Sequence, residues 1–167
     1  MLYSTDKEEE KRIQEYYDNP NAERNGRGIT WATHMAMMHH KFNVDKSIEE
    51  MDKETLKKFL DFRISCIQEE VDELKGAAKT LLPQLDCDPE EVVDALIDIC
   101  VFAIGTLDLF GVDADLAWRK VYEANSKKEV GIKEERPNPF GLPDLIKKPD
   151  WKGPDHTGNH GLFANNI

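Results

Sequence analysis

The chain has 167 residues, 40% of them hydrophobic and 33% charged, with a formal net charge of -11. That length fits one domain with a moderate core, and so acidic a balance excludes a broad phosphate-neutralising surface of the kind that holds duplex DNA. A small phosphorylated ligand is not excluded, because a metal ion can carry the positive charge locally. Cys66, Cys87 and Cys100 are odd in number, and two sit in apolar helical runs, which reads as free thiols in a cytoplasmic protein. No signal peptide is expected from Met-Leu-Tyr and the charged run behind it. The longest apolar run, Ala95 to Phe110, is broken by Asp98 and Asp108 and is too short to span a bilayer.

In chain order, residues 1–28 read as an N-terminal arm, with a short charged helix over Asp6 to Tyr17 and breaks at Asp18-Asn-Pro-Asn21 and Asn25-Gly-Arg-Gly28. From Thr30 to Phe42 the pattern is helical. Trp31, Met35, Met38 and Phe42 form one apolar stripe, with His34, His39 and His40 beside it. Ser47-Ile-Glu-Glu50 has the form of a capping box and predicts the start of a short helix. A long helix is predicted from Lys53 to Leu82, since no proline intervenes before Pro83. Asp88-Pro-Glu-Glu91 opens the next helix, with Asp88 as cap, Pro89 in the first turn and acids at the positive end of the dipole. That helix runs to Phe110, stops at Gly111, and is apolar nearly all round, so it is expected to be the central, most buried one. Asp113 caps a last helix, Ala114 to Ser126, with Leu116, Ala117, Val121 and Ala124 inward. The Pro- and Gly-rich stretch over 131–167 reads as an irregular wrap or mobile extension. With no strand-like alternation of useful length, the expected fold is all-α, a four- to five-helix bundle over 29–130.

Acidic pairs on two of these helices carry the chemistry. Glu70 and Glu73 stand at i, i+3, as do Glu91 and Asp94, so each pair shares a helix face. At about 100° per residue, Asp98 falls between Glu91 and Asp94 in projection, and Gly105 continues the stripe, leaving room for something large. Arg63 lies on the face of Glu70, from which it could meet a phosphate. Carboxylates in apolar surroundings need neutralisation, and a hard cation such as Mg²⁺ chooses oxygen ligands and bridges them to substrate phosphates. A di-iron bundle would want Glu-x-x-His pairs, and neither acidic pair has the histidine. There is no Gly-x-Ser-x-Gly, and no cysteine has an evident activator. A metal-activated water is therefore the more natural nucleophile, with one of the glutamates accepting its proton.

Glu70-x-x-Glu73-Leu followed by Glu91-x-x-Asp94 resembles the motif of the MazG-like all-α nucleoside triphosphate pyrophosphohydrolases. Dimeric dUTPases and phosphoribosyl-ATP pyrophosphohydrolase are relatives in that superfamily. The stretch His39-His-Lys-Phe-Asn43 is similar to the end of the family's first helix, and Ala124-Asn-Ser-Lys-Lys128 to its downstream Asn-and-Lys segment. The resemblance spans roughly Trp31 to Lys128. It implies cleavage of a (deoxy)nucleoside triphosphate to the monophosphate and pyrophosphate. It implies Mg²⁺ or Mn²⁺ on Glu70, Glu73, Glu91 and Asp94, to which the wheel adds Asp98, with Glu70 and Glu73 catalytic. Asn125 and either Lys127 or Lys128 would touch sugar or phosphates, and His39 a base pocket. Trp151 would stack on a base or pin the tail. A homodimer or homotetramer with shared sites is implied, in the cytoplasm, with neither nucleic acid nor membrane as partner. The rival readings are dUTP or phosphoribosyl-ATP as substrate on the same site, and a catalytically silent helical interaction module.

Overall fold

Five helices form among the described residues of the computed structural model, which cover 29–79 and 88–165. The expected N-terminal arm, the end of the long helix up to Leu82, and Cys87 lie outside them. Helix α1 is Trp31–Lys41, α2 Val44–Glu49, α3 Lys53–Lys79, α4 Pro89–Leu109 and α5 Ala114–Asn125. No single helix among the described residues is long and apolar enough to cross a membrane.

The caps follow the local chemistry. The Thr30 hydroxyl accepts the Thr33 N–H at 3.2 Å, while the Thr33 hydroxyl accepts the Thr30 N–H, closing a reciprocal cap on α1. The Thr30 hydroxyl also donates to Asp115 at 2.8 Å, tying the start of α1 to the first turn of α5. Asp88 accepts from Glu90 N–H at 3.0 Å and Asp113 from Leu116 N–H at 2.8 Å, as the sequence predicts for α4 and α5. Helix α2 departs from the expectation at Ser47. It begins after Asn43, whose φ of 57° breaks the chain direction, and Ser47 lies inside the helix with its hydroxyl donating to the Asn43 carbonyl. A serine one turn inside a helix finds a carbonyl as readily as an N–H, so the capping-box spacing misled.

Helix α4 is central in the sense that α1, α2, α3 and α5 all pack on it. It also has the most buried positions of the described helices, Ala95, Gly105, Thr106 and Leu109, but it is not covered all round. Its first half leaves Val93 60% accessible, with Leu96 and Ile97 also exposed, because α3 covers only one side of it there. The apolar stripe on α1 also departs from expectation. Met35 is buried, but Trp31 and Met38 are exposed and Phe42 is 67% accessible, since the face of α1 that meets α4 runs through Met35 and His39.

The core sits at the C-terminal end of α4, where Phe110 is fully buried among Ile48, Leu56 and Leu109. The Phe110 ring stacks on Phe163 with centroids 4.6 Å apart and on Phe59 at 6.2 Å. Phe163 belongs to a 3₁₀ turn, Gly161–Asn165, so the end of the tail closes the core. Leu162 N–H donates to the Phe110 carbonyl at 2.7 Å, and Asn159 exchanges two hydrogen bonds with the backbone of Asp113. The tail is thus a docked strap rather than a mobile extension. It also contains a ribbon the sequence did not announce, in which β1 (Glu129–Gly131) pairs antiparallel with β2 (Asp144–Ile146). Three-residue strands are too short to show alternation. Asp144 accepts from Lys133 at 2.8 Å, which pulls its carboxyl below the usual range.

Candidate active site

Helices α3 and α4 run antiparallel, which the cross-contacts establish. Arg63 of α3 meets Thr106 and Phe102, whereas Glu70, two turns later, feels the charges of Asp98 and Asp94. Going up α3 means going down α4. Glu70 and Glu73 on one helix therefore face Asp98 and Asp94 on the other, and Glu91 follows one turn beyond.

Glu70 and Asp98 are half-buried, while Glu73, Glu91 and Asp94 are exposed. The Glu70 carboxyl is held above its ordinary range, first by partial burial and then by the like charges of Glu73, Asp98, Glu69 and Asp94. Among the described residues no lysine, arginine or histidine pairs with any of Glu70, Glu73, Glu91, Asp94 or Asp98. As they stand, no three carboxylates, histidines or cysteines among the described residues converge on one metal-sized point. The donor chemistry nonetheless fits a hard divalent cation, being an all-oxygen, mutually repelling set with no basic partner.

Arg63 occupies the space the sequence reserved for something large. Its Nε donates to the Thr106 hydroxyl and its Nη2 to the Phe102 carbonyl, both at 3.0 Å, and the guanidinium lies 4.7 Å from the Phe102 ring centroid. Burial holds its pKa below the ordinary arginine value, against the opposing influence of Cys66. A Cβ on Gly105 would come within 3.0 Å of Nη2, 2.9 Å of Met35 Cε and 3.2 Å of His39 Cε1, so the glycine admits all three side chains. Arg63 is a clamp between α3 and α4, two turns from the acids, rather than a free phosphate ligand. His39 is likewise not an open base-pocket residue. It is 7% accessible, beneath α4, with Nδ1 2.5 Å from Asp108 Oδ2. The signal for both placements was Gly105 on the α4 stripe, with Thr106 and Asp108 next to it.

A scan against protein-family models matches residues 35–125 to the phosphoribosyl-ATP pyrophosphohydrolase family. The chain belongs to that family. The match takes in both acidic pairs and ends at Asn125, and it supports a pyrophosphohydrolase acting on nucleotide triphosphates, a hydrolase of acid anhydrides. No curated protein matches the chain.

The remaining predicted contacts lie at the end of α5 and just past it. The chain direction turns by 115° between α4 and α5. Asn125 and Lys127 are exposed, and Lys128 N–H donates to the Asn125 carbonyl at 3.0 Å. Trp151 pins the tail here, its indole N–H donating to the Ala124 carbonyl at 2.7 Å. Lys128 and Lys147 stand over its ring at 5.1 and 4.8 Å. The tail lysines were missed from sequence because nothing local links them to α5.

Proposed function

We propose that the protein hydrolyses a (deoxy)nucleoside triphosphate between the α and β phosphates, releasing the monophosphate and pyrophosphate. The observation that carries this reading is the unpartnered acidic face shared by α3 and α4 within a chain of this family. Glu70, Glu73, Glu91, Asp94 and Asp98 would hold Mg²⁺ or Mn²⁺, which when bound would neutralise phosphate charge and lower the pKa of a coordinated water. Glu70 is the carboxylate suited to take that water's proton. It is half-buried, uncommitted to any base, and its raised pKa moves it toward the operating pH. Glu73, one turn on, is the second acceptor. Arg63 acts as a positioning residue that keeps α3 and α4 in register beneath the acids.

Asn125, Lys127 and Lys128 would contact the sugar and phosphates. At the end of α5 and just past it, they would serve sites shared with a second copy in a homodimer or homotetramer. The exposed Val93, Leu96 and Ile97 on α4, beside the acids, support such an interface, as do Trp31, Met38 and Phe42 on α1. Free thiols at Cys66 and Cys100 suit a cytoplasmic setting. The family's description favours phosphoribosyl-ATP as one substrate to test, beside dUTP and the common triphosphates.

The test is a panel of canonical and modified nucleoside triphosphates, with phosphoribosyl-ATP, incubated with Mg²⁺ or Mn²⁺ and resolved by product. Monophosphate and pyrophosphate are expected, and Glu73→Gln or Asp94→Asn should abolish turnover. Diphosphate and orthophosphate would contradict the α–β cleavage. No turnover across the panel would favour a silent interaction module.

A further inference from the structure

The tail and α5 enclose a groove of about 480 Å³, well within the size range of small-ligand sites. Its walls carry Lys120 from α5, Lys127 from just past its end, and Lys148, Trp151 and Lys152 from the tail. In a chain of net charge -11, this is a concentration of cations that calls for a cause. Part of the charge is offset locally. Lys148 pairs with Glu129 at 2.8 Å, and Lys120 lies near Asp155, whose carboxyl is lowered chiefly by Thr157. Glu123 and Asp150 also line the groove. Among the described residues, however, Lys127 and Lys152 have no carboxylate partner, and Lys128 and Lys147 meet only the Trp151 ring.

The dipole of α5 accounts for lysines just past its C-terminus. It does not account for Lys147 and Lys152, which the tail brings back from beyond the ribbon. The indole N–H bond to Ala124 fixes that return, so Lys152 of the tail lines the same groove as Lys127. Ammonium groups gathered in this way repel unless an anion joins them, and the groove leaves room for one.

We propose that this groove binds the oligophosphate chain of a nucleotide, with the tail supplying part of the charge through Lys152 and Trp151 holding the tail in place. The proposal draws on the function argued above only for its ligand class, and it can be tested without metal or turnover. In the full chain carrying Trp31→Phe and Trp118→Phe, both at exposed sites, Trp151 is the sole indole, and its fluorescence is titrated in EDTA. Tripolyphosphate and ATP should each give a saturable change that weakens with salt, and adenosine none. Lys127→Glu with Lys152→Glu should weaken tripolyphosphate binding about tenfold or more, and the exposed control Lys57→Glu should leave it within about twofold. Thermal melting verifies that the lysine variant remains folded.

The proposal is overturned if tripolyphosphate gives no saturable signal, if the double variant binds as tightly as the parent, or if Lys57→Glu loses as much. Adenosine binding as tightly as ATP would also overturn it. Glu73→Gln should bind tripolyphosphate normally. Binding without hydrolysis of any triphosphate would therefore sink the hydrolase reading alone, and hydrolysis without groove binding would sink the groove alone.

Discussion

Replacing Gly161 with alanine tests whether the tail is a structural strap. A methyl carbon there would lie 2.0 Å from the Phe110 carbonyl oxygen and 2.8 Å from the Gly111 carbonyl carbon. Those are backbone atoms at the end of α4, so they cannot swing aside as a side chain would. The φ of 50° adds a further cost of about 1 kcal/mol for any residue with a Cβ. The turn must therefore lift from the core. Lifting loses the Leu162 N–H bond to Phe110, about 1 kcal/mol net. It loses the Phe163 ring stacked at 4.6 Å on Phe110, about 1 kcal/mol. It also exposes the apolar surface of the half-buried Leu162 and Phe163, about 1–2 kcal/mol. The expected loss is about 3–4 kcal/mol by denaturant titration, or a fall in melting temperature of roughly 10 °C. Limited proteolysis should cut the variant's tail faster than the parent's. Stability within about 1 kcal/mol of the parent, with equal tail protection, would refute the docking argument.

Arg63→Met should cost about 2–4 kcal/mol in denaturant titration, because two charge-assisted bonds between α3 and α4 are lost from a half-buried site. Arg63→Lys should recover only part of that, since one ammonium cannot reproduce the planar fork. Glu70 gives a pH prediction with a definite sign. Its folded pKa is raised, so its contribution to stability is fully present below the unfolded carboxylate range and is lost as pH rises through the folded value. In EDTA, the melting temperature of Glu70→Gln should therefore fall less than the parent's as pH rises through that window; an unchanged slope would remove the repulsion argument. Added Mg²⁺ should raise the parent's melting temperature more at high pH than at low, and should do so less for Asp94→Asn. Leu96→Glu with Ile97→Lys, changed where α4 is exposed, should shift sedimentation toward a monomer and remove activity together with it. An active monomer would overturn the shared-site arrangement.

The sequence by itself determined the helices and their order. Capping residues at Asp88 and Asp113 act within one turn, so local chemistry suffices to locate them. The same periodicity assigned Glu70 to one helix face and Asp94 and Asp98 to another, because helical spacing is a property of the chain alone. Which face meets which was a tertiary matter. Only packing could show that Arg63 and His39 both enter the space above Gly105, where each spends its polar atoms on a partner in the structure rather than on a substrate. Only packing could show that a helix apolar nearly all round keeps Val93, Leu96 and Ile97 uncovered in one chain, since coverage depends on what else is long enough to reach it. The tail gave least away. Its docking rests on contacts such as Trp151 with Ala124 and Phe163 with Phe110, made between residues far apart in the chain, and no periodicity encodes those.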